Sequence, residues 1–176
     1  MLGLCLLGLK GCIGAATVAG AAAGSLAVQT TIRNNNMDLA LQGDPVAQTK
    51  VGSSYCCAGP GFSAQKATEW LCKAADQEHM PAFYELGRIY IGEVTRIPHP
   101  GLYITAEVTS KKSLPIGLMY LQLAADAGNR TAARKIRAQR AKHNGNEIFF
   151  DRQLDQANAL KATWRNQPCT YSEVFA

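Results

Sequence analysis

At 176 residues, with 18 basic against 13 acidic side chains and a net charge of +5, the chain has room for one domain plus a leader or tail. Hydrophobic residues make up 47% and charged residues 18%, a balance that excludes a disordered chain and suits a globular helical one. The basic excess is too small to imply a nucleic-acid partner.

In chain order, residues 1–28 stand apart: MLGLCLLGLKGCIGAATVAGAAAGSLAV holds one charge, Lys10. Three readings stay open. Leu9-Lys10-Gly11-Cys12 resembles a bacterial lipobox, which would make Cys12 the lipidated first residue of the mature chain. Lys10 and the lack of a basic segment before Leu2–Leu9 depart from that pattern. Ser25-Leu26-Ala27 fits the small-x-small rule of an ordinary secretory leader. Residues 13–28 could also be an uncleaved anchor, although they fall short of the roughly 20 residues that span a bilayer. Gly20 and Gly24 would then form a close helix–helix face. Each reading sends the chain to a membrane or across one.

Beyond the leader, apolar spacing and capping residues predict helices over 30–42, 45–57, 63–77, 81–92, 114–127, 130–142 and 147–164. Asp44-Pro45 reads as an N-cap with proline at the first helical position. Pro81 and Asn129 mark matching starts, and Ser63 and Ser113 are candidate caps. In the last helix Ile148, Leu154, Ala157, Leu160, Lys161 and Trp164 fall near one side, so it is expected to close an exposed end of the fold. Between Gly92 and Leu114, Pro98 and Pro100 break the helical period. Leu102, Ile104, Ala106 and Val108 alternate with polar residues or tyrosine, which favours a short β-hairpin or an extended loop over 93–113.

The chain repeats itself. Ala47-x-x-x-Val51-Gly52-x-x-Tyr55 recurs 35 residues later as Ala82-x-x-x-Leu86-Gly87-x-x-Tyr90. Lys66-Ala67-x-x-Trp70-Leu71-x-Lys73-Ala74-Ala75 recurs 50 residues later around Gly117, Tyr120, Leu121 and Ala124-Ala125. A period of this size with two helical patterns per unit is that of an α/α helical-repeat solenoid, in which small residues mark close helix approach. The pattern resembles the Sel-one-like repeat, a relative of the tetratricopeptide repeat, over roughly residues 39–139. That resemblance implies an all-α superhelix that binds a protein or peptide partner, here as a scaffold in a bacterial envelope assembly. It implies three regions: leader or anchor 1–28, repeats 29–146, and a capping helix and tail 147–176. The register of such superhelices would put Ser53, Tyr84, Arg88, Arg134 and Arg137 on the partner-binding face. The usual loop between paired helices appears here only as Gly59-Pro60-Gly61-Phe62.

Other chemistry is thinly represented. Ser63-Ala64-Gln65-Lys66 matches the S-x-x-K of serine–lysine enzymes, but no S-D-N or K-T-G follows, and Lys66 already belongs to the repeat. His79, His99 and His143 lack metal-ligand spacing, and the cysteines have no C-x-x-C. No phosphate-cradling loop is present. The expectation is therefore no catalytic residue, no metal, no cofactor, no nucleic acid and no small-molecule substrate. An alternative is a structural anchor that assembles through its Gly/Ala segment. Cys56, Cys57, Cys72 and Cys169 allow three pairings or none, and the sequence does not choose among them. Arg130, Arg134, Lys135, Arg137, Arg140 and Lys142 crowd into 13 residues with no acid among them. They read as a solvated face or as a landing site for anionic headgroups, an acidic partner or nucleic acid.

Overall fold

The computed structural model describes residues 27–56, 63–92, 95–97, 104–106, 113–166 and 169. Cys12, the Gly/Ala segment and the Gly59–Phe62 loop lie outside them. The described chain is helical apart from two short strands. Helix α1 spans residues 27–41. It is followed by α2 Pro45–Tyr55, α3 Ala64–Ala75, α4 Met80–Tyr90, α5 Leu114–Asp126, α6 Arg130–Lys142 and α7 Glu147–Thr163. Within the inserted segment, β1 Thr95–Ile97 pairs antiparallel with β2 Ile104–Ala106. Among the described residues no helix is long and apolar enough to cross a membrane.

Side-chain caps fix the starts of α2, α3 and α6. Asp44 accepts the Ala47 N–H at 2.6 Å and Asn129 accepts the Thr131 and Ala132 N–H groups. Ser63 Oγ accepts the Lys66 N–H at 3.2 Å. Ser113 occupies the expected position before α5, but its side chain makes no capping bond. The helix ends recur as well. The N–H groups of Asp44, His79 and Asn129 each donate to the carbonyl of the residue five back, Leu39, Ala74 and Ala124, at 3.0 Å. Gly43, Glu78 and Gly128 precede them with φ of +99°, +57° and +90°. This is the left-handed cap that glycine fills most easily.

The helix crossings repeat too. A Cβ on Gly52 would meet Leu71 Cγ at 2.7 Å, and a Cβ on Gly87 would meet Leu121 Cγ at 2.7 Å. The backbone at Ala67 and Gly117 closes each crossing, because the Ala67 carbonyl faces Gly52 and Gly117 faces the Gly87 carbonyl. The Ser63 N–H donates to the Tyr55 carbonyl at 3.0 Å, and the Ser113 N–H to the Tyr90 carbonyl at 2.9 Å. So α2 pairs with α3 as α4 pairs with α5, through the residues that recur in the sequence. A small cluster of Ala40, Ala47 and Val51 joins α1 to α2, and the main core runs from α3 to α7.

Helix α7 breaks the sequence. It lies chiefly against α5, not against the preceding α6. Gln122 donates to Asn158 at 2.8 Å, and Lys161 pairs with Asp126. The buried side of α7 is carried by Phe150 and Ala157, with Leu154, Leu160 and Trp164 partly buried beside them. Ile148, assigned to that side from spacing, is 78% exposed. Phe150 takes its place because it shares a helix face with Leu154 and Ala157 at i, i+4, i+7; beside it Arg140 pairs with Asp151 and lies over the Phe150 ring.

Candidate functional site

Among the described residues, two places bring functional side chains together. The first is on the α4–α6 side. Tyr84 and Arg88 stand one turn apart on α4, both half-buried. Arg88 pairs with Glu85 at 2.7 Å and its guanidinium lies 5.8 Å from the Tyr84 ring centre. The α6 residue that reaches the same ring is Lys135, at 5.9 Å, where the repeat register had pointed to its neighbour Arg134. Arg134 bonds to Thr131 and, with Arg130 and Arg137, lines a shallow, solvent-exposed depression along α6. Ser53 stands half-buried on α2, its carbonyl accepting the Cys56 N–H. The five residues named from the register therefore divide into a Tyr84–Arg88 cluster, an α6 arginine face and a separate Ser53.

The second place was not foreseen. A cavity of about 750 Å³ opens between the C-terminal ends of α3 and α4, the start of α5 and the end of α7. Tyr90, Ile116, Met119, Tyr120, Leu160 and Trp164 form its apolar wall. The aromatic part is built by packing: Tyr90 stacks on Tyr120 at 5.8 Å, Tyr120 on Phe83 at 6.0 Å, and Trp164 meets Phe83 edge-on at 5.1 Å. The disulfide Cys72–Cys169 ties the chain after α7 back to α3, across 97 residues of sequence. The Tyr120 hydroxyl lies 3.1 Å from Cys169 Sγ, and burial pushes its pKa well above the usual phenol value. Cys56 is also disulfide-bonded.

The mouth of the cavity is charged. Arg165 donates to Glu78 at 2.7 Å, which lowers the Glu78 pKa, and its guanidinium lies over the Trp164 ring at 5.1 Å. Asp76 follows the last turn of α3 and also lines the cavity. It is solvent-exposed overall, yet the neighbouring wall removes enough water to raise its pKa. Among the described residues no cation pairs with it.

Sequence reasoning missed this cavity for a physical reason: four elements supply its wall, and each residue alone reads as ordinary core. One signal was available, the left-handed Glu78 at a position where Gly43 and Gly128 stand in the other turns. Ser63, the residue of the serine–lysine motif, serves as a helix cap, and the Lys66 ammonium lies 5.7 Å from the Tyr55 ring centre. Among the described residues no three His, Cys, Asp or Glu side chains come together as a metal site would need. No family model, curated protein or solved structure matches the chain.

Proposed function

We propose that the chain is a non-enzymatic adaptor of the Sel-one-like repeat type. It is an α/α superhelix that binds a protein or peptide partner on the face carried by α2, α4 and α6. The observation that supports this reading is the recurrence of one crossing, Gly52 on Leu71 and Gly87 on Leu121, at the residues that recur in the sequence. Helices stacked by a repeated close approach present a row of equivalent faces, and such rows serve as binding surfaces in repeat proteins. Tyr84 is the anchor of the row. It is an amphipathic ring held between Arg88 and Lys135, and tyrosine and arginine are residue types that carry binding energy at protein interfaces. The α6 arginines would extend the same surface toward an acidic stretch of the partner.

The envelope location and the lipid at Cys12 rest on the leader alone and belong to the same proposal. The test is affinity capture after chemical cross-linking in the cells that make the protein. A specific partner should be recovered with the native chain and lost with Arg88→Glu combined with Arg134→Glu and Lys135→Glu. Undiminished recovery from the triple variant, with its melting profile intact, would reject this face as the docking surface.

A further inference from the structure

From the aromatic cavity we infer a second binding site, independent of the adaptor surface. It takes an apolar ligand with one cationic head: an alkyl or aryl amine, or a quaternary ammonium. The apolar part lies among Tyr90, Met119, Tyr120, Leu160 and Trp164, and the head lies at Asp76. A volume of about 750 Å³ is in the range of small-molecule sites and too large to be a packing defect.

The sign of the head group follows from the mouth. Of the two acids described there, Glu78 is already neutralised by Arg165, and Asp76 is partly desolvated, with no cation paired to it among the described residues. Helices α3 and α7 end at the cavity and α4 begins two residues after Glu78, so helix dipoles of both signs lie near it and the acids decide the sign. Helix α5 begins on its other side. Its capping Ser113 makes no side-chain bond, and Pro115 removes one of the amide donors that would hold an anion. The chain already places one cation on this wall in the same manner, since Arg165 lies over Trp164. A partly desolvated acid at the rim of a cavity walled by aromatic rings, with no cation paired to it among the described residues, is the arrangement that binds a cation with an apolar tail.

Trp164 reports on occupancy directly, because the chain has two tryptophans and a Trp70→Phe background leaves it alone. The oxidised full-length chain is titrated with decyltrimethylammonium and with decyl sulfate, both below micelle-forming concentration. The cation should shift Trp164 emission and bind about tenfold tighter than the anion, the ratio a partly desolvated cation contact supplies. Asp76→Asn should remove that preference, and Ala159→Trp at the exposed rim should weaken both probes. Equal affinity for the two probes, no response to either, or an unchanged preference in Asp76→Asn would overturn the assignment.

Discussion

Glu78 adopts a left-handed backbone conformation that Gly43 and Gly128 fill in the equivalent turns. A side chain there is strained, and its compensation is the exposed pair with Arg165 at the cavity mouth. Glu78→Gly should therefore raise the denaturation midpoint while loosening Arg165. Urea unfolding read at Trp164 checks both. The glycines at the crossings behave in the opposite way. Gly87→Ala drives a methyl into Leu121, whose backbone nitrogen is 3.1 Å from the added atom, so relief requires the helix itself to move. Overpacking of this kind costs about 1–3 kcal/mol, and Gly52→Ala should cost a similar amount against Leu71. Asp76 adds a pH dependence. A carboxyl whose folded pKa lies above its unfolded value stabilises the fold fully at low pH and loses that contribution as pH rises through the folded value. At neutral pH the ionised Asp76 is thus unfavourable, beside a desolvating wall and a helix C-terminus. Asp76→Asn should raise the melting temperature at pH 7 by about 1–3 °C. The gap should close on acidification through the carboxylate range, and a gap that widens instead would contradict this account.

At the scale of elements, the helices were legible because each carries its own local evidence. Asp44-Pro45, Ser63 and Asn129 mark starts that the structure keeps, and the Gly87–Tyr90 turn recurs where Gly52–Tyr55 predicts. The course of α7 was not legible. Its stripe records that one side is buried but not against which neighbour, and Phe150 shares the helix face of Leu154 and Ala157 at i, i+4, i+7 while Ile148 falls off it. Phe150→Ala should cost about 3–5 kcal/mol, whereas Ile148→Ala should be nearly neutral. The cysteine pairing was likewise open, because four cysteines allow several bridges and spacing alone selects none. In the fold, α7 lies along α5 and Cys169 beyond it reaches α3, so Cys169 meets Cys72 with Cα atoms 5.3 Å apart. By the loop-entropy argument, a bridge spanning 97 residues stabilises by about 4–5 kcal/mol. Cys72→Ser with Cys169→Ser should lower the urea midpoint accordingly and reduce the Trp164 response to any cavity ligand.

For the molecule as a whole, two surfaces face different ways on the helix pairs. The α4–α6 side offers a tyrosine between two cations, and the α3–α5–α7 side offers an aromatic cavity with an acid that pairs with no cation among the described residues. The first could be approached from sequence, since it follows the repeat register, and even there a single position separates Arg134 from the Lys135 that reaches Tyr84. The second required the fold. The leader completes the proposal: mass spectrometry of the mature chain should find Cys12 first and carrying lipid, and an intact Met1 or a start at Val28 would contradict the lipoprotein reading. The adaptor claim itself is tested most directly by photo-crosslinking in the cells that make the protein. A benzoylphenylalanine is placed at position 84, or at the exposed Gln65 on α3 as a control. The account predicts one discrete adduct from position 84 that is absent from position 65 and disappears with Arg88→Glu. No adduct at position 84, or the same adducts from both positions, would contradict it.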